Sequence, residues 1–210
     1  MVNKMTLPCL LLIADNFSDP DVATRVRSAV KEGVRWVQLR DHMASPDKFD
    51  AAAIGMVRDL IGINRHVLIT INSRIMVAEE HKMHFHTGMH GPSLFEAKLV
   101  LGAYAPVGVS VHNGKELSSA VRGGAQYIIF SPIFETETHP GVPGVGTEVL
   151  KKVCLHAKTM PVMAMGGITP ESVKRCLHVG AHGVAVNSSI LKAANMLAAI
   201  KAYSKEIPGL

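Results

Sequence analysis

The chain has 210 residues, with 22 Lys and Arg against 17 Asp and Glu (formal net charge +5), 48% hydrophobic residues and a mean hydropathy of +0.22. This length suits one domain with a sizeable core, and the composition excludes a disordered chain. No Lys/Arg run is dense enough for a nucleic-acid arm, and one Trp, three Tyr and six Phe offer little stacking surface, so a small anionic ligand fits better than nucleic acid.

The first apolar run, CLLLIAD (9–15), follows Lys4 much as a signal peptide would. It is short, Asp15 closes it and no small-residue cleavage site follows, so it reads as a first strand. No stretch approaches the roughly 20 apolar residues of a membrane span. The expected location is the cytoplasm, where Cys9, Cys154 and Cys176, odd in number and without metal-like spacing, fit free thiols. DPDVATRVRSAVKEG (19–33) then predicts a helix, with Asp19 as N-cap, Pro20 in the first turn and Gly33 as a stop. Further strands are predicted at WVQLRD (36–41), HVLITIN (66–72), HFHTG (84–88), PVGVSVH (106–112), QYIIFSPIF (126–134), PVMAMGGI (161–168) and HGVAVNSSI (182–190). Their near-continuous apolar character is that of strands buried on both faces of a parallel sheet. Amphipathic stretches lie between them, among them GKELSSAVRGG (114–124) and TPESVKRCLHVG (169–180). Eight such units in a single domain spanning 1–210 predict a (β/α)8 TIM barrel. A doubly wound sheet is the alternative, but no G-x-G-x-x-G follows the first strand.

In a barrel, chemistry belongs to the C-terminal strand ends and the loops after them. That rule selects Gln38, Arg40 and His42 after the second strand and Asn72 in NSR after the third. It also selects Ser110 and His112 after the fifth strand, and the polar FETETHPGVPG stretch (134–144) after the sixth. Arg40 lies in an apolar strand and needs an anionic partner, either Asp41 or a ligand. Gly166 and Gly167 let backbone N–H groups approach a ligand, the helix from Thr169 aims its positive end the same way, and Asn187 and Ser188 add donors. These four are the expected phosphate contacts. A tight capped turn would also explain the glycine pair. His84, His86 and His90 have a loosely metal-like spacing, but no Cys or carboxylate completes the set, so no metal site is expected there. His66, His81, His156, His178 and His182 are read as surface or capping residues.

QLRDH, INSR, FHTG, GVSVH, TETH, GGI and VAVNSSI stand in an order and spacing that resemble the thiamine phosphate synthase/TenI superfamily over roughly residues 8 to 200. The resemblance implies a compact (β/α)8 barrel, a homodimer, and action on a small phosphorylated thiazole in thiamine biosynthesis, with neither nucleic acid nor membrane as partner. In the synthase branch, magnesium assists pyrophosphate departure from a pyrimidine, and the thiazole nitrogen captures the carbocation. Here Ser73 and Gly91 stand where that branch has its two metal aspartates, and His42 and His139 stand where it has lysines. The TenI branch moves a proton on the thiazole without a metal, and FET in the sixth strand end resembles that branch. Pro132 stands where some TenI tautomerases carry a histidine, which leaves His112, His139 or the carboxylate Glu135 to move the proton. The leading expectation is therefore a thiazole phosphate tautomerase with no cofactor. Gln38, Arg40, His42, Asn72, Ser110, Thr136 and Thr138 would line its substrate site. Two alternatives stand beside it: a thiamine phosphate synthase, which would need magnesium, and a non-catalytic phosphate-ligand-binding or regulatory barrel.

Overall fold

Eight parallel strands close on themselves in the order of the chain, β1 pairing with both β2 and β8. They are β1 Leu10–Asp15, β2 Trp36–Arg40, β3 Leu68–Asn72, β4 His84–Thr87, β5 Val107–Val111, β6 Tyr127–Phe130, β7 Val162–Met165 and β8 Gly183–Val186. The structure is a computed structural model and describes residues 7–88, 91–103, 105–136, 141 and 143–207. Helices α1 Pro20–Lys31, α2 Pro46–Ile63, α3 Ile75–Glu80, α4 Leu94–Leu101, α5 Gly114–Arg122, α6 Gly146–Ala157, α7 Pro170–His178, α8 Ser188–Leu191 and α9 Met196–Glu206 surround the barrel. The fold is the predicted single-domain (β/α)8 TIM barrel.

The helix starts follow the sequence punctuation. Asp19 accepts from the amides of Asp21 and Val22, Ser45 caps α2, and Ser93 with Glu96 forms a capping box on α4. The strands end earlier than predicted. PVMAMGGI stops at Met165, because Gly166 and Gly167 take positive φ values of 99° and 60°. HGVAVNSSI stops at Val186, because Ser188 opens α8.

Strand alternation divides the core in two. Outward-facing residues such as Leu12, Val37, Ile71, Phe85 and Val111 pack under the helices. Leu11, Ile13, Trp36, Tyr127, Ile129, Met163 and Ala185 fill the lumen, so the barrel is closed beneath its mouth. Gly108 makes room for this filling, since a Cβ there would lie 2.1 Å from Cζ of Tyr127. No helix among the described residues is long and apolar enough to cross a membrane.

Candidate active site

The register places Arg40 beside Asp15, Asn72 beside His86, and Ser110 beside Ile129, around the C-terminal rim of the barrel. Arg40 forms a two-pronged ion pair with Asp15, Nε to Oδ1 and Nη2 to Oδ2, both at 2.9 Å. The sequence offered Asp41 or a ligand as its partner, and the structure supplies Asp15 instead. Asp41 points the other way and fastens two mouth loops together. It accepts from Ser18 Oγ at 2.5 Å and from the amides of Met43 and Ala44. Burial disfavours the charge of Asp41, but these donors outweigh it and hold the carboxyl below the usual aspartate range. The adjacent His42 is exposed on the loop that Asp41 clamps.

Gln38 is not at the rim. It sits one layer deeper, only 2% exposed, level with Ile13 and Thr70. The predicted end of β2 was therefore set one pleat too shallow for this side chain. Asn72 is buried at the end of β3, and its amide donates to Ser73 Oγ at 3.0 Å. Ser110 faces the mouth, half-buried, 2.8 Å from Nε2 of His86. His84 and His86 are lumen residues. Burial lowers their pKa values to about 4 and about 3, and Arg40 adds to the effect at His86. Both are therefore neutral near pH 7. His90 lies outside the described residues.

His112, at the exit of β5, is exposed and held at two points. Its backbone amide donates to Glu116 at 2.7 Å, and its Nδ1 lies 2.9 Å from the carbonyl oxygen of Ser131 on the neighbouring strand exit. A carbonyl can only accept, so Nδ1 carries the proton and Nε2 keeps its lone pair for a substrate. Glu135 is exposed, with its carboxylate 3.3 Å from the amide of Gly141. Thr136 is half-buried beside it. Thr138 and His139 lie outside the described residues.

Gly166 and Gly167 are needed for packing as well as for any ligand. A Cβ on Gly166 would lie 2.7 Å from Cα of Pro132, and one on Gly167 would lie 2.2 Å from the carbonyl oxygen of Glu135. The loop after β6 thus folds directly over them, and its Phe134 ring sits 5.2 Å beneath the Arg175 guanidinium. Asn187 and Ser188 are half-buried at the next strand exit. The Tyr203 hydroxyl on α9 ties the two exits together, lying 2.8 Å from the Ile168 carbonyl and 2.9 Å from Ser189 Oγ. Small polar side chains, Asn187, Ser188 and Ser189, therefore stand beside the glycine pair.

The residues at the implied metal position do not fit magnesium. Ser73 and Gly91 supply no carboxylate, and a Cβ on Gly91 would lie 2.5 Å from Thr87 Oγ1 and 3.1 Å from Ser73 Oγ. Among the described residues, no three His, Cys, Asp or Glu gather closely enough to hold a metal.

The sequence reading did not mark Asp15 and Ser131 at this rim or Tyr127 in the lumen beneath it. Inward alternation along β1 and β6 points to Asp15 and Tyr127. Nothing local marks a carbonyl such as that of Ser131.

Known proteins agree with the architecture. The Pyrococcus furiosus thiamine phosphate pyrophosphorylase structure superposes with a TM-score of 0.80 over 97% of this chain and 96% of its own, at 24% identity. Orotidine 5'-phosphate decarboxylase from Pyrococcus horikoshii shares the barrel at a TM-score of 0.67 and 14% identity. In sequence, the thiamine-phosphate synthase of Coprothermobacter proteolyticus is 31% identical over 182 residues, 86% of this chain and 84% of that protein. The putative thiamine-phosphate synthase 2 of Aquifex aeolicus is 32% identical over 195 residues, 90% of this chain and 100% of that protein. The thiamine monophosphate synthase family profile (TMP-TENI) matches residues 10–190, nearly the whole barrel, and the chain belongs to that family of thiamine-biosynthesis enzymes.

Proposed function

We propose that this chain isomerises a phosphorylated thiazole in thiamine biosynthesis by moving a proton without a metal. The observation that carries the reading is the Ser131 carbonyl at 2.9 Å from Nδ1 of His112. It makes Nε2 the basic nitrogen at the exit of β5, in a barrel whose implied metal positions hold Ser73 and Gly91. His112 takes a proton from the ring and returns it to another carbon of the same substrate, so no co-reactant is consumed. Arg40 and Asn72 hold the ring and any carboxylate on it, while the amides near Gly166, Gly167, Asn187 and Ser188 hold the phosphate. Arg40 keeps donors for this role, because Asp15 engages only its Nε and Nη2.

The names of the relatives favour a second reading, the joining of a pyrimidine pyrophosphate to the thiazole phosphate. One experiment separates the two. The purified protein is incubated with carboxylated thiazole phosphate, with and without magnesium, and in parallel with both synthase substrates. Aromatisation of the thiazole unaffected by a chelator is the expected result. Magnesium-dependent thiamine phosphate formation without isomerisation would replace the first reading by the second, and binding without turnover of either kind would make the barrel a ligand binder.

The reading includes a homodimer through α3 and α4. α4 (LFEAKLVL) is apolar nearly all round yet buries only Ala97. Phe95 and Leu99 are 76% and 74% exposed, with Met76 of α3 64% exposed nearby. These side chains offer on the order of 400 Å² of apolar surface, about half of what one partner buries in a standard interface and enough for its centre. Light scattering is expected to show a dimer that Leu99→Glu turns into a monomer. A monomeric unsubstituted protein would refute this assembly.

A further inference from the structure

The exits of β7 and β8 are joined by a side chain that belongs to neither. Tyr203 lies on α9, 35 residues after Ile168 and 14 after Ser189. Its side chain is fully buried in the outer core, where α9 packs against α7 and α8. Its hydroxyl oxygen stands 2.8 Å from the Ile168 carbonyl oxygen and 2.9 Å from Ser189 Oγ. Ile168 directly follows the turn made by Gly166 and Gly167, both at positive φ, and Ser189 lies in the first turn of α8.

The two contacts fix where the hydrogens are. A carbonyl oxygen can only accept, so the single hydrogen of the phenol goes to Ile168. The contact with Ser189 must then run the other way, with the serine hydroxyl donating to the Tyr203 oxygen. The Ser189 hydrogen is therefore committed to Tyr203 and withheld from a ligand, although this residue sits beside the expected phosphate contacts Asn187 and Ser188. Strand pairing does not hold the two exits at this level. The β7–β8 register ends at Met165 opposite Ala185, and Tyr203 rejoins the two segments three and four residues beyond that last pair. A glycine turn and a helix of four residues have little stiffness of their own, so their separation depends on what bridges them.

We propose that Tyr203 is a positioning residue for phosphate, a brace from α9 that fixes the separation between the glycine turn after β7 and the start of α8. An anion held between two loops needs their donors at a set spacing, and donors already in place cost no reorganisation when the charge arrives. The proposal rests on the reading above that puts the substrate phosphate between these exits. It adds that affinity for the phosphate is governed by a buried hydroxyl that touches no ligand, and that Ser189 serves the brace and not the anion.

The test uses Tyr203→Phe, which keeps the ring and removes only the hydroxyl. Affinities of the full chain are measured for inorganic phosphate, for carboxylated thiazole phosphate and for the same thiazole without its phosphate. The first two are expected to fall about fivefold to tenfold and the third to stay unchanged. An equal loss for all three would make Tyr203 merely structural, and an unchanged phosphate affinity would remove the brace; either result overturns the proposal. Ser189→Ala reaches the brace from its other side and should weaken phosphate binding with the same selectivity. The double variant should bind phosphate no more weakly than Tyr203→Phe alone, because both changes break one bond; additive losses would make Ser189 a ligand contact and overturn the hydrogen assignment. A protein that binds phosphate but isomerises nothing would end the reading of function, and the same affinity ratios would still decide the brace. No phosphate binding by the unsubstituted protein would overturn the brace together with the site.

Discussion

Replacing His112 with alanine is expected to slow thiazole aromatisation by about 10²- to 10⁴-fold, the range that one positioned acid–base group supplies. The loss should fall on kcat with little change in KM, because the proposed phosphate contacts lie on other strand exits, those of β7 and β8, than the one that carries His112. The geometry makes the prediction specific. His112 is fixed at its backbone by Glu116 and at its ring by the Ser131 carbonyl, so both the position and the tautomer of the base are set before substrate arrives. Glu116→Gln can still accept from the amide of His112 and should retain most activity. His139→Ala tests the other candidate histidine. A normal rate in His112→Ala with a collapse in His139→Ala would give the proton to His139, a collapse only in the double variant would mean that either histidine suffices, and a normal rate in the double variant would remove both.

The same prediction shows where the sequence was readable. The barrel was legible because eight short apolar runs alternate with capped helices, and strands buried on both faces leave few other architectures. His112 was legible as a candidate because it stands at a strand exit. Its anchor was not, since a backbone carbonyl has no signature in a residue string. Gln38 and Arg40 show a second limit. They are two residues apart on one strand face, and which of them reaches the rim depends on barrel stagger, set by pairing with β1 and β3. Arg40 was recognised as needing a counter-charge, but its partner is Asp15, 25 residues away in sequence and adjacent only once β1 and β2 pair. The glycine pair at 166 and 167 illustrates a third. Its phosphate reading and its packing reading are the same observation in sequence, and only the approach of Pro132 and Glu135 shows that the fold needs these glycines with or without a ligand.

The lumen histidines also predict how the fold responds to acid. His86 and His84 are held at about 3 and about 4, chiefly by burial, whereas an unfolded chain protonates both near the ordinary histidine value of 6.5. Below pH 6.5 the unfolded state therefore binds more protons than the folded one, and stability falls as pH drops. With two histidines the slope is small near pH 7 and rises toward roughly 2 to 3 kcal/mol per pH unit near pH 5, where the unfolded state binds nearly two more protons than the folded one. Asp41 and His182 act outside this window. The Asp41 carboxyl is lowered below 3.8, so its contribution is lost only as pH falls past that value. His182 is raised above 6.5, mainly by Cys9, so its contribution is complete below 6.5 and lost at higher pH. Urea titrations at pH 7.0, 6.0 and 5.0 give the slope directly. His84→Gln is the informative variant, because Nδ1 of His84 has no hydrogen-bond partner to lose. It should fold, and it should roughly halve the slope, leaving the share that belongs to His86. An unchanged slope in that variant would mean that His84 is protonated in the folded barrel as readily as in the unfolded chain.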